Sequence, residues 1–161
     1  MITDVLATFS NAQSLAAAST VVSTDVMDLS VGGAVGAIPQ LIGSPQGRDM
    51  AGGEDFDVAF TFPSAAGAAI TFQVITSASS AMTSPTVVAS TGSIPAAELT
   101  AGRNPIVLCV NPSAIKAQAE GQRYLAVQYV TGAGAASVVS AAVINDTLAF
   151  AKYYRSGYTV V

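Results

Sequence analysis

There is no histidine in this chain, no tryptophan, and a single cysteine, Cys109, among 161 residues. Lack of histidine removes both the usual proton shuttle near neutral pH and the commonest metal ligand. One thiol cannot close an internal disulfide. A catalytic thiolate needs a neighbouring cation to lower its pKa, and with no histidine to supply one Cys109 reads as a small buried hydrophobe. Charge is scarce too: 10% of residues are charged, against roughly 25% in ordinary soluble domains. The formal net charge of -4 has the wrong sign for neutralising phosphates, so no nucleic-acid partner is expected. Ser, Thr, Gly or Pro interrupts every apolar run before the ~20 residues that span a bilayer. The opening Met-Ile-Thr-Asp-Val-Leu-Ala lacks the basic start and apolar core of a signal peptide. An origin in the cytoplasm and no membrane partner are the expectations.

What is abundant is small and apolar. Mean hydropathy is +0.53 with 51% hydrophobic residues, much of it Ala and Val, which suit tight sheets. Excess apolar surface of this kind marks contact sites, so part of it is expected to be buried against other subunits. The length fits one domain that holds itself up without disulfides or metals.

Periodicity places strands at several points along the chain. Met1 to Ala18 reads as a short helix or an extended arm, with Val5, Leu6, Phe9 and Leu15 on one side. A first strand is expected around Val21 to Leu29. From Val31 to Asp55 the composition turns to Gly, Pro, Ser and Gln, a long loop of the kind that carries function. Phe56, Val58, Phe60 and Phe62 follow at period two, and Ile70, Phe72 and Val74 answer them after a Pro63 to Gly67 turn, which reads as a hairpin with a phenylalanine-rich core. Short strands are expected at Thr86 to Ala89 and Pro105 to Val110. A second hairpin is read from Arg123 to Asp146, its loop Gly132-Ala-Gly134-Ala-Ala. A strand-like Leu148 to Phe150 and a tail from Lys152 close the chain. The whole reads as an all-β antiparallel sandwich occupying residues 19–151, with an arm at 1–18 and a tail at 152–161; spacing leaves open whether it is a jelly roll or immunoglobulin-like.

The motifs that imitate chemistry each have a plainer reading. Gly132 to Ser137 resembles a dinucleotide-binding turn, but β-branched residues follow where a helix must begin. Glu54, Asp55 and Asp57 offer hard oxygens without the calcium-loop pattern and read as a solvated loop end beside Arg48. Asp25, Asp28 and Asn145-Asp146 read as turn residues, and the Asn145-Asp-Thr147 acceptor pattern has no secretory route to give it meaning. Tyr153, Tyr154 and Tyr158 beside Lys152 and Arg155 are side chains favoured as interface anchors, so the tail reads as a docking element. No cofactor, no metal and no enzymatic activity are expected.

Several short stretches, in order and nearly end to end, resemble the jelly-roll cement or decoration proteins of tailed bacteriophage heads. They are Phe9-Ser-Asn-Ala-Gln13, Asp25-Val-Met-Asp-Leu29, Gly47-Arg-Asp-Met-Ala-Gly-Gly-Glu54, Phe72-Gln-Val-Ile-Thr-Ser77, Ser84-Pro-Thr86, Leu99-Thr-Ala-Gly102, Arg123-Tyr-Leu125 with Tyr129, and Ser156-Gly-Tyr158. The loop before Gly47 is enlarged relative to that pattern, and Lys152-Tyr-Tyr-Arg155 stands where a proline is expected. The resemblance implies a jelly roll with no active site, bound outside the capsid as a homo-oligomer (a dimer first, a trimer second) that bridges copies of the major capsid protein. Contacts with the shell or with sister subunits are then expected at Phe9, Gln13, Arg48, Asp49, Tyr153, Tyr154, Arg155 and Tyr158. A sugar-binding or fibre module is the alternative, disfavoured by the lack of tryptophan, and an enzyme is a distant third. Truncation after Ala151 should weaken assembly and leave the domain folded; a truncated chain that assembles normally removes the docking role of the tail.

Overall fold

Period-two alternation puts one set of side chains on each face of a strand, and two such sheets must bury their apolar faces against each other. The computed structural model describes residues 7–15, 19–29, 55–111, 122–134 and 137–144. Among them are the strands β1 (Thr8–Leu15), β2 (Thr20–Val22), β3 (Met27–Asp28), β4 (Phe56–Thr61), β5 (Ile70–Ser77), β6 (Thr86–Ile94), β7 (Ile106–Val110), β8 (Tyr124–Thr131) and β9 (Ser137–Ile144), with a 3-10 turn at Ala96–Glu98. One sheet runs β1-β9-β4-β7 and the other β2-β8-β5-β6, with β3 continuing along β8.

Every pairing is antiparallel, and the pairs nest: β5 with β6, β4 with β7, β2 and β3 with β8, and β1 with β9. This is one long hairpin with its tip between β5 and β6. Rolling it brings β4 beside β9 and β5 beside β8, which closes two sheets over one core. A double sheet with that connectivity is a jelly roll. The all-β sandwich is therefore present, and its topology is the jelly-roll one.

The core is aromatic at its centre. Phe60 and Phe72, one from each sheet, have ring centroids 4.9 Å apart. Phe62 meets Phe72 edge-on at 5.4 Å, and Tyr129 meets Phe72 edge-on at 6.0 Å. Phe9, Leu15, Val58, Ile70, Val74, Leu125, Val127 and Val139 fill the space around them. Each edge-to-face pair adds about 0.5–1.5 kcal/mol beyond the burial of its area. A smaller cluster of Ile75, Met82 and Ala126 lies on the outer side of the second sheet, packed by Val22, Val26 and Tyr124.

Both hairpins read from the sequence are corrected. β4 and β5 lie in opposite sheets, as do β8 and β9, so the segments after Phe62 and after Thr131 are arches that cross the sandwich. Alternation is the same for a hairpin and for an arch, because both put an apolar face inward; long-range pairing decides. β8 already has β2 and β5 as neighbours, and β9 has β1 and β4. The true hairpin is β5–β6, and β6 runs through to Ile94, beyond the Ala89 at which alternation weakens. It weakens there because β6 is bulged: the register shifts between Thr71 and Gln73 and again between Val74 and Ile75. Gly92 sits at φ +70°, and the Thr91 hydroxyl lies 3.1 Å from the Phe72 amide that donates to it.

Two further expectations change. Residues 8–15 are a strand of the first sheet, not an arm outside the domain. The first strand is interrupted after Val22, where the Ser23 amide and hydroxyl both turn to Val127 and the chain swings out to let the Asp25 amide reach the Phe9 carbonyl at 2.9 Å. The long loop expected from Val31 as far as Glu54, the loop that the sequence suggests at Pro112 to Gly121, the strand expected at Leu148 to Phe150 and the tail lie outside the described residues. Phe72→Ala should cost about 3–5 kcal/mol, read as a lowered urea midpoint; a loss under about 1 kcal/mol would mean the two sheets do not meet at this ring.

Candidate functional site

Most of the stretches that carry the family resemblance meet at seams of the sandwich. Phe9-Ser-Asn-Ala-Gln13 is a doubly bulged part of β1, with register shifts between Thr8 and Ser10 and between Ser10 and Gln13. The first bulge turns two successive side chains inward, and Phe9 and Ser10 are both fully buried. The second holds Ala12 at φ +50°, its amide donating to the Ser140 hydroxyl at 2.8 Å, and brings Gln13 over the gap to β2.

A chain of hydrogen bonds then runs from the core to the second sheet. The Tyr129 hydroxyl donates to Ser10 Oγ at 2.8 Å, and Ser10 Oγ donates to Gln13 Oε1 at 2.6 Å. Gln13 Nε2 donates to the Val22 carbonyl at 2.8 Å. The Thr24 hydroxyl and the Asp25 amide both donate to the Phe9 carbonyl. Every member has a partner, which is the condition for a buried polar network to stabilise and not penalise the core. Burial raises the Tyr129 pKa well above its ordinary value, and the Ser10 hydrogen bond opposes that shift without cancelling it.

Other resemblance stretches among the described residues act likewise. Arg123 clasps Asp28 through two bonds, Nε to Oδ1 at 2.8 Å and Nη2 to Oδ2 at 2.5 Å, and its guanidinium lies 5.2 Å from the Tyr124 ring centroid. Both partners are well exposed, at 48% and 38%, so the pair is worth little in stability and fixes the β3–β8 end of the sheet. The Ser77 hydroxyl donates to the Thr83 carbonyl at 2.9 Å across the β5–β6 turn. Buried Leu99 accepts from the Ala66 amide, and the Gly102 amide donates to the Phe62 carbonyl. These motifs hold the roll closed.

The opposite side of the sandwich differs. There β6 and β7 are the edges, and Cys109 on β7 is exposed, which corrects its reading as a buried hydrophobe. Odd positions of β7 face out, and Cys109 pairs with Asp57 of β4. Its thiol is held above the ordinary value by partial desolvation, then by the charge and hydrogen bond of Asp57 and the charge of Asp55, which favours the protonated form. Among the described residues no three His, Cys, Asp or Glu side chains converge on a metal-sized site. No helix there is long and apolar enough to cross a membrane.

The outer face of the second sheet is almost free of charge. Thr20, Val22, Thr71, Gln73, Ile75, Val87, Ser90, Ser93, Ala126, Gln128 and Val130 make it up by register, and the two exposed large hydrophobics of the described residues, Val87 and Val130, both belong to it. The Asp28–Arg123 pair stands at one end.

Of the contact residues expected from sequence, Phe9 is buried in the core, and Gln13 is half-buried with its side chain engaged at the bulge. Arg48, Asp49, Tyr153, Tyr154, Arg155 and Tyr158 lie outside the described residues, as do Glu54 and Asn145-Asp146. Gly132-Ala-Gly134 enters strand β9, not a helix, which removes the dinucleotide reading. Ser10 was legible as part of a motif but not as the partner of Tyr129. The bulge that pairs them leaves no signature in alternation.

Two antiparallel sheets rolled and closed in this way define a jelly-roll β-sandwich. The chain belongs to the Bbp16 family, a phage-related family, whose model matches residues 9–144. That match starts in β1 and ends at the last residue of β9, so it covers the rolled domain from edge to edge. No curated protein matches the chain.

Tyr129→Phe should lower stability by about 1 kcal/mol at neutral pH. It should also change the alkaline limb. The folded-state pKa of Tyr129 lies above the unfolded one, so its contribution is full below about pH 10 and is lost as pH rises past that value. Urea midpoints of the variant should fall less steeply above pH ~10 than those of the natural chain; parallel curves would show that the hydroxyl is not buried.

Proposed function

We propose that this protein is a cement or decoration protein that binds the outer surface of a phage head and bridges neighbouring copies of the major capsid protein. The observation that carries this reading is the match to the phage-related Bbp16 family across the whole jelly roll. Three features support it. The motif residues of the described sandwich are spent on holding a rigid roll together. The chain carries 10% charged residues, so the area it buries on a partner has few ions to desolvate. Its net charge of -4 keeps it off packaged DNA.

In this reading the protein performs no reaction, takes no cofactor and works as a homo-oligomer, a dimer before a trimer. It is made in the host cytoplasm and resides on the virion exterior. The contacts fall to Arg48 and Asp49 and to the tail residues Tyr153, Tyr154, Arg155 and Tyr158. Binding the assembled shell and not its dissociated subunits stabilises the shell by mass action, by about 2.7 kcal/mol per site when free protein stands at a hundred times its dissociation constant.

Particles carrying the protein should resist heat and chelator better than particles lacking it, and adding the purified chain back should restore that resistance. Equal resistance, or a glycan-array signal without any binding to heads, overturns the proposal.

A further inference from the structure

We propose that the open edge of β7 is where two copies of this chain pair, antiparallel and about a two-fold axis. The inference rests on the reading of the chain as an oligomer but not on capsid binding.

The four sheet edges are not equivalent. β1 carries two bulges and is tied to the second sheet by Ser10 and Gln13. β2 is three residues long. β6 carries two register shifts, with left-handed Gly92 beside one of them. Bulges and short length are the devices by which edge strands avoid pairing with other chains. β7 has neither. It pairs with β4 residue for residue from Phe56↔Val110 to Phe60↔Ile106 without a shift. Its five residues, Ile-Val-Leu-Cys-Val, include no charge, glycine or proline. Among the described residues no strand pairs with its other side. A flat, uncharged edge of this kind offers unpaired backbone groups to an incoming strand.

Charge at the two ends of β7 selects the occupant. Before it stands Arg103, whose guanidinium is bound only to carbonyls, those of Glu98 and, at 3.2 Å, Asn104. Among the described residues the one ion pair is Arg123–Asp28, so Arg103 has no carboxylate. At the other end, continuing the register past Phe56↔Val110 sets Asp55 beside Asn111. Asp55 is exposed, and among the described residues its carboxylate meets the Cys109 thiol at 4.0 Å and no cation. A two-fold axis reverses one β7 against the other. The Arg103 end of each copy then lies beside the Asp55 end of its mate, and the match is made twice. A parallel mate would set like charge against like. A second copy of the chain is thus self-complementary at this edge, as a closed two-fold interface requires.

Sedimentation equilibrium of the purified full chain tests this without any phage particle. The natural chain should be a dimer. Arg103→Glu and Asp55→Lys should each weaken it by about tenfold or more, because each places like charges together at two symmetric points. The double variant Arg103→Glu/Asp55→Lys should bring the dissociation constant back to within about threefold of the natural value. Circular dichroism on all of them separates lost pairing from lost folding. A monomer at every accessible concentration, or a double variant no tighter than the single ones, overturns the proposal. Neither result bears on capsid stabilisation, which the particle assay reads separately.

Discussion

Packing four aromatic rings between two sheets leaves one phenol hydroxyl in the middle of an apolar core, and the placement of β1 follows from having to satisfy it. Leaving that hydroxyl without a partner would cost about 1–3 kcal/mol. Ser10 is the group that meets it, and Ser10 points inward only because a bulge at Phe9 lets two consecutive side chains face the core. The bulge in turn offers the Phe9 carbonyl to Thr24 and Asp25, which pulls the chain out of line between β2 and β3. One buried hydrogen bond thereby sets the shape of β1, the break in the first strand and the closure of one side of the sandwich.

The two sides of the roll consequently have different properties. On the β1–β2 side, side chains of one sheet bond to the backbone of the other, so separating the sheets there would strand several polar groups in a dry interior. On the β6–β7 side the sheets meet through apolar side chains, with Ile94 and Leu108 among the partly buried ones packed on the core. β6 answers its exposure with two bulges. β7 does not, and it is also the strand that carries the exposed thiol.

Much of the fold was legible in the chain, for a physical reason: in β4 the inward positions Phe56, Val58 and Phe60, followed by Phe62, are large and evenly spaced, and burial of such a face does not depend on which strand lies next to it. The same independence is why the two hairpins were misread. Alternation in Arg123 to Asp146 reports which face is inward and is silent about whether the next strand is beside it or across from it. β1 was obscured for another reason. Its bulges break the period at Ser10 and at Ala12, so Phe9 and Ser10 both face the core where alternation admits only one of them, and a helix or an arm explained the pattern equally well. Cys109 was assigned by residue type, and position at an edge overrode it. The Ser, Thr, Gln and Val side chains of the outer face of the second sheet follow no spacing rule that sequence reading could have used.

What the family motifs encode follows from where they lie. Phe9-Ser-Asn-Ala-Gln13, Asp25 to Leu29 and Arg123 to Leu125 with Tyr129 converge on one seam, while Leu99 to Gly102 and Phe72 to Ser77 hold two others. The described stretches thus close seams of the roll, and most of the outward faces take no part in those contacts. Substitution on those faces, at Val87, Gln128 or Val130, costs the fold little, because such side chains are not part of any seam. For the proposed role on a phage head, a surface already in its binding shape is an advantage. A weak edge or face gains affinity when it is held in its bound shape beforehand, since no ordering entropy is then spent on docking.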